Sequence, residues 1–313
     1  MQTVLIVVLT VLTTLATLAI LAGFGLRWWV RRRILAAIAA GQSPETAIAP
    51  SIHFEPIDGD TRWQQSSTPA VFERFAALGY VGAGRFRVPE IAGMEVVFGT
   101  HPDGTAAAVY DHATVPTFFD VVRMATDETS AYVTTTPFHD PAQTPPGVLA
   151  VADDSLSPEE AVDLLRGLRP TGTLLRATAQ NVCALAAASY ERQIAHILLM
   201  QSPTEDQMRA VGERVAAVTG SEAPVLDDEG LRFAAEIQRH LRERALVELI
   251  VQSFLRTNPI RAEEWERMRD HVVVIHDRMS PEEREELLPD PEAAKVLGRV
   301  ERPIPAKIYL VSP

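Results

Sequence analysis

A long apolar run begins the chain. Residues 1 to 26 carry no charged side chain, and positions 4 to 26 are almost all Val, Leu, Ile, Ala and Thr. At about 1.5 Å per residue, a helix over these positions reaches roughly 35 Å, enough to cross a hydrocarbon core of roughly 30 Å. A cleaved signal peptide has a shorter apolar run that follows its positive charge, whereas here the charge comes afterwards. The pattern therefore predicts a transmembrane anchor within residues 1–33.

The residues behind this run predict how the anchor lies in the membrane. Tryptophan favours the interface because its ring is apolar and its N–H needs a polar partner, and arginine-rich flanks stay in the cytoplasm. We expect residues 4–29 to contact the lipid bilayer of the cell (inner) membrane of a bacterial-type cell, as a single pass with the N-terminus outside and the C-terminal domain cytoplasmic. The expected interface residues are Trp28, Trp29, Arg31, Arg32 and Arg33.

An α+β unit is predicted over residues 68–170, behind a juxtamembrane linker at 34–67 that is rich in proline, glycine and polar side chains. Apolar positions at helical spacing from Val71 to Leu78 predict a helix that ends at Gly79. Runs of β-type residues then predict an antiparallel meander of about five strands. These runs are residues 80–88, 94–100, 106–112, 118–125 and 131–136.

The rest of the pattern is mainly helical. Residues 137–154 are rich in proline and predict a connection without regular structure, and Ser-Pro-Glu-Glu at 157–160 marks the start of a helix. Over residues 171–313 we predict a mainly α-helical unit with two short strands near its end, which makes the whole an α+β protein. Its helices are expected at 174–200, 204–218, 226–255, 258–269, after Ser280 and at Asp290-Pro291, and its strands at 271–276 and 307–311.

The charge of the chain excludes one class of partner. The net charge is −12, and residues 1–33 contain four arginines and no acidic residue, which leaves −16 for the remainder. An acidic domain is repelled by nucleic acid and by anionic lipid headgroups, so we expect neither as a partner of that remainder. The single cysteine, Cys183, excludes an intramolecular disulfide and is consistent with a reducing compartment.

Common catalytic and cofactor motifs are missing from the sequence. Neither lysine lies in a glycine-rich phosphate loop, no serine stands in a G-x-S-x-G sequence, and the usual zinc spacings are absent. We therefore expect no cofactor and no metal site.

Histidines beside aspartates are the best remaining candidates for catalysis. Such a pair can act as a general base or hold a metal if the fold brings the pairs together, although polar residues also gather in loops for no catalytic reason. The candidates are His112 and His139 with Asp111 and Asp140, and His101 nearby. His271 and His276 flank a predicted strand at positions that point to opposite faces, so they are not expected to share a metal.

A basic cluster on the helix at 226–255 is the candidate for binding. Arg239, Arg242 and Arg244 stand beside His240 in an otherwise acidic chain and could contact an anion or an acidic partner. The alternative interpretation is a solvated helix face, in which glutamates at helical spacing balance the arginines.

These observations favour a non-enzymatic function. The leading hypothesis is a membrane-anchored interaction or ligand-sensing module at the cytoplasmic membrane surface, with an unidentified protein partner. One alternative is a membrane-associated hydrolase that uses the His and Asp residues of the meander, and another is a subunit of a membrane complex.

Overall fold

The computed structural model describes residues 49–57, 62–126, 128–201, 204–220 and 228–311. Within these ranges, no helix combines the length and the apolar character that crossing a membrane requires. The predicted anchor and most of the predicted linker lie outside the described residues. So do the expected interface residues Trp28, Trp29, Arg31, Arg32 and Arg33.

The predicted helix and the meander after it are confirmed. Helix α1 (Thr68–Ala77) leads into five consecutive strands, each antiparallel to the next, within a seven-stranded mixed sheet whose strand order follows the chain. The alternation of apolar and polar side chains along these strands marks them in the sequence. The five strands are β2 (Val81–Arg87), β3 (Glu95–Thr100), β4 (Ala106–Asp111), β5 (Phe118–Met124) and β6 (Ser130–Thr134).

Two outer strands of the sheet were missed. Strand β1 (Glu55–Pro56) pairs with β2 inside the predicted linker, and strand β7 (Val148–Ala152) pairs in parallel with β6 inside the predicted proline-rich connection. Proline is tolerated on an edge strand, and both strands are short pieces that depend on a neighbour for their hydrogen bonds. The surrounding prolines therefore predicted loops where edge strands form.

Both faces of the sheet are covered. On one face, Val109, Val121 and Val133 are fully buried against Phe75 of α1 and Leu165 of the helix α2. Helix α2 (Pro158–Gly167) begins at the predicted capping box, in which the Ser157 hydroxyl accepts the Glu160 N–H while the Glu160 carboxylate accepts the Ser157 N–H.

The second face is covered by residues that the sequence placed in a linker and by a helix. Phe54 packs edge-on against Phe98 with ring centroids 5.1 Å apart, and Val182 at the start of helix α3 (Val182–Leu199) is buried in the same core. The predicted helix over residues 174–200 is therefore too long at its start. Residues 174–177 run extended instead, because the Leu175 N–H donates to the Met124 carbonyl.

A buried carboxylate fixes the approach to α1. Asp111 is fully buried at the end of β4, where its oxygens accept the backbone N–H groups of Gln64 and Gln65, both at 2.8 Å, and the Thr68 hydroxyl at 3.0 Å. Arg85 lies 3.5 Å away. A carboxylate so surrounded by donors ties the segment before α1 onto the sheet.

The C-terminal part contains all but one of the predicted helices and a second sheet. The elements are α4 (Glu205–Thr219), α5 (Asp228–Thr257), α6 (Ala262–Met268), β8 (Val272–His276), α7 (Pro281–Leu287), β9 (Lys295–Val300) and β10 (Ala306–Leu310). The strands follow the order β8-β10-β9, and both pairings are antiparallel. The predicted strands at 271–276 and 307–311 pair with each other as β8 and β10, whereas β9 is a third strand that was not predicted.

The helix predicted at Asp290-Pro291 is wrong. Asp290 Oδ1 accepts the N–H groups of Glu292 and Ala293, and this side-chain turn leads directly into β9. An aspartate competes with helical hydrogen bonding in this way as readily as it caps a helix.

Helix α5 covers this second sheet. Its residues Ile250 and Phe254 are buried against Val274 of β8 and Ile308 of β10. A Cβ on Gly298 of β9 would lie 2.6 Å from the Phe254 ring, so the close contact between helix and strand needs a glycine there.

Replacing Asp111 with alanine should destabilise the fold by about 3 kcal/mol, because the change leaves buried donors without an acceptor. Denaturant unfolding of the full-length chain measures this loss. The matched control is Asp163→Ala, since Asp163 is largely exposed and pairs only with Arg166 on the surface of α2. Equal unfolding midpoints for the two variants would contradict the structural role of Asp111.

Candidate functional site

The histidine and aspartate candidates occupy separate loops. His112 Nδ1 accepts the Thr114 N–H at 3.2 Å, so Nε2 is the protonated nitrogen and donates to the Ala92 carbonyl at 3.0 Å. Asp111, the residue before it, accepts the buried hydrogen bonds described above. These contacts fix the loop between β4 and β5 and leave neither residue in a catalytic arrangement with the other.

The second pair is also engaged locally. His139 lies edge-on to the Tyr132 ring, with its Nδ1 3.4 Å from the Tyr132 hydroxyl, and burial lowers the pKa of His139. Asp140 Oδ1 accepts the Ala142 N–H at 3.0 Å and caps a short 3₁₀ turn. In the described part of the chain, no group of three or more His, Cys, Asp or Glu could hold a metal ion. The contacts of the two pairs therefore give no support to the hydrolase alternative.

The basic cluster on α5, in contrast, lines a cleft. A cavity of about 680 Å³ opens between the C-terminal end of α3, the middle of α5, the end of β8 and helix α7. We call it the arginine cleft, because four arginines line it together with three glutamates and two histidines in a chain of net charge −12. Its charged and histidine side chains are Arg239, His240, Arg242, Glu243, Arg244, His276, Arg278, Glu283 and Glu286.

Helical geometry explains why these side chains come together. Leu241 and Ala245 are buried and fix the orientation of α5, so Arg242 stands at the border between the packed stripe of the helix and its solvent-facing side. Arg278 reaches the same cleft from the turn after β8, where the Met279 N–H donates to the His276 carbonyl.

Arg242 and Arg278 both line the cleft and interact electrostatically, and we call them its central pair. Arg242 donates to the Gln201 carbonyl at 2.7 Å and Arg278 donates to the Leu198 carbonyl at 3.0 Å, so both cations lie at the C-terminal end of α3, which carries partial negative charge. Burial and the neighbouring charge of Arg278 lower the pKa of Arg242. Within the described ranges, neither arginine forms an ion pair with a carboxylate.

Two glutamates of the cleft are occupied elsewhere. Glu243 lies 3.8 Å from Arg239 and 3.6 Å from His240 on the exposed side of α5. Glu283 accepts the Ser280 N–H at 2.7 Å in the capping box of α7. The third, Glu286, forms no ion pair with Arg242 or Arg278 within the described ranges. The central pair of arginines is therefore a like-charge pair without an ion-paired glutamate of the cleft.

A buried histidine completes the wall of the cleft. His276 is buried, and its Nδ1 has no hydrogen-bond partner among the described residues. Burial and the charge of Arg278 lower the pKa of His276, and Arg284 adds to this effect, whereas Glu283 and Asp277 act in the opposite direction. The two guanidinium groups in this wall are groups that can bind an anion.

The structure brings all three of the basic residues proposed from the sequence, Arg239, Arg242 and Arg244, to the same cleft. Sequence reasoning missed Arg278 and the part played by His276. Both residues follow or end a strand whose position beside α5 depends on tertiary packing, so no local signal points to them. That the cluster binds an anion stays a prediction.

The neutral state of His276 should make stability depend on pH. Because the pKa of His276 is lowered in the folded state, only the unfolded chain takes up this proton as the pH falls below about 6.5. Stability is therefore lost as the pH decreases from about 7 to about 5. Denaturant unfolding over this range should show that the free energy of unfolding of the wild-type chain falls relative to that of His276→Gln as the pH decreases. A difference between the two that stays constant with pH would contradict this prediction.

The comparisons with known proteins do not identify a relative of this chain. No family model matches the chain, and neither a curated protein nor a solved structure does.

Proposed function

We propose that this protein is a membrane-anchored, non-enzymatic sensing module that binds an anionic ligand in the arginine cleft. The observation that carries the proposal is the pair Arg242 and Arg278. Both are held at the end of α3 by backbone carbonyls, and neither has a carboxylate partner in the described part of the chain. Two neighbouring cations repel each other, and a bound anion relieves this repulsion.

The size of the cleft supports a small-molecule ligand. Its volume of about 680 Å³ falls within the range of roughly 300–1,000 Å³ that is typical of ligand pockets. Apolar side chains, among them Leu246, Val247 and Leu287, form part of its lining beside the charged groups. Ligand pockets commonly combine such a wall with a few placed polar groups.

The proposed anchor defines where this ligand is sensed. Residues 1–33 would hold the domain at the cytoplasmic surface of the inner membrane, while the net charge of −16 over residues 34–313 keeps it away from anionic headgroups. The cleft would then sample the cytoplasm close to the bilayer and transmit occupancy to a protein partner in the same membrane.

Neutralising either central arginine should weaken anion binding roughly tenfold or more, since a charge-assisted hydrogen bond contributes about 1.5–3 kcal/mol. Isothermal titration calorimetry of the full-length chain with inorganic phosphate compares wild type with Arg242→Gln and Arg278→Gln. The control is Arg232→Gln, an exposed position on the same helix whose guanidinium contacts the Asp228 carbonyl. Absence of phosphate binding, or equal weakening in all three variants, would contradict the proposal.

Deleting residues 1–33 should release the protein from the membrane, because the deletion removes the whole apolar run and its basic flank. Fractionation of cells after an alkaline wash measures the effect. The full-length chain should remain in the pellet and the shortened chain should appear in the supernatant. A full-length chain that is extracted by the wash would argue against the anchor.

A further inference from the structure

We propose that the ligand of the arginine cleft is a phosphate monoester that carries an apolar group. This inference rests on the proposed function and names the chemistry of the ligand. The phosphate lies between Arg242 and Arg278, and the apolar group lies against Leu246, Val247 and Leu287.

The charge of the central pair selects a dianion. A phosphate monoester carries close to two negative charges above its second pKa of about 6, whereas a carboxylate or a phosphate diester carries one. Arg242 and Arg278 each bring one full positive charge. None of the three glutamates that line the cleft, Glu243, Glu283 and Glu286, forms an ion pair with either arginine within the described ranges. A single negative charge would leave one of the two guanidinium groups without its counter-ion.

The donors of the pair fit phosphate oxygens. A guanidinium group has five N–H donors in a planar fork that matches phosphate or carboxylate oxygens two at a time. One donor of Arg242 is used by the Gln201 carbonyl and one of Arg278 by the Leu198 carbonyl. These backbone bonds hold the two groups in place, and the remaining donors have no acceptor among the described residues.

A buried histidine borders the place of the phosphate. His276 lines the cleft and is only 8% exposed. Its Nδ1 is itself shielded from solvent and has no partner among the described residues, so His276 contributes to the wall of the cleft and the two arginines supply the donors for the phosphate.

The apolar side chains that line the cleft favour a ligand with an apolar group in addition to its phosphate. Leu287 is 48% exposed on α7 and borders the cleft, where Met200 and Met279 add flexible apolar surface. Methionine adapts to ligands of varied shape, and covering an exposed leucine is favourable. An apolar substituent on the phosphate covers this surface, which inorganic phosphate leaves in contact with water.

Three probes test the inference on the full-length chain in phosphatidylcholine nanodiscs, by isothermal titration calorimetry at about pH 8, where a monoester is doubly charged. Phenyl phosphate has both the dianion and an apolar ring, inorganic phosphate lacks the ring, and methyl phenyl phosphate keeps the ring with one charge. We expect phenyl phosphate to bind at least about tenfold more tightly than either of the other two.

The variant Leu287→Gln separates the two parts of the inference. It should remove the advantage of phenyl phosphate over inorganic phosphate and leave the affinity for inorganic phosphate unchanged, since Leu287 is a surface position outside the charged pair. Equal affinities of the two probes, unaffected by Leu287→Gln, would overturn the apolar part. Equal affinities of phenyl phosphate and methyl phenyl phosphate would overturn the inference that the ligand carries two negative charges. In both cases the anion-binding function would stand, whereas no binding of any probe would overturn both proposals.

The same chemistry occurs in soluble metabolites and in the headgroup of phosphatidic acid. Nanodiscs that contain a minor fraction of phosphatidic acid distinguish the two sources. An unchanged affinity for phenyl phosphate in these nanodiscs assigns a soluble ligand. A reduced apparent affinity, with full occupancy still reached at higher phenyl phosphate concentration, assigns the lipid headgroup. Either result supports a phosphate monoester and identifies its source.

Discussion

Helix α3 has to fill two hydrophobic cores at once, and the positions of the other elements follow from this constraint. Its first residue, Val182, is buried against the seven-stranded sheet, and Leu198 near its end is buried beneath α5. A rigid helix that contributes to both cores fixes the distance between them, since α-helices rise about 1.5 Å per residue. The Leu198 carbonyl at its C-terminal end accepts a hydrogen bond from Arg278, and the Gln201 carbonyl just beyond the helix accepts one from Arg242.

The positive charge of the arginine cleft is explained by the hydrogen bonds at the C-terminal end of α3. The last carbonyls of a helix need donors, and here guanidinium groups from two other elements supply them. The arrangement satisfies the backbone but places two positive charges side by side without a carboxylate from the described residues. Such a site is less stable when empty than one with a balanced ion pair, which is a common property of binding sites. The proposed ligand supplies the missing negative charge.

The sequence was sufficient for features that depend on local chemistry and insufficient for those that depend on packing. The capping boxes at Ser157, Thr204 and Ser280 form as their spacing predicts, because each involves residues within one helical turn. Strands β1, β7 and β9 were not predicted, because a short strand needs a partner elsewhere in the chain. In the same way, Asp111 was a candidate catalyst until the fold placed two backbone N–H groups against it, and Arg278 gained importance only beside Arg242.

A co-crystal structure of the full-length protein with phenyl phosphate tests the central claim most directly. The account predicts phosphate oxygens at about 2.7–2.9 Å from guanidinium nitrogens of both Arg242 and Arg278, with the ring against Leu287. Phenyl phosphate bound elsewhere on the protein, with the two arginines paired to carboxylates of the chain, would contradict it.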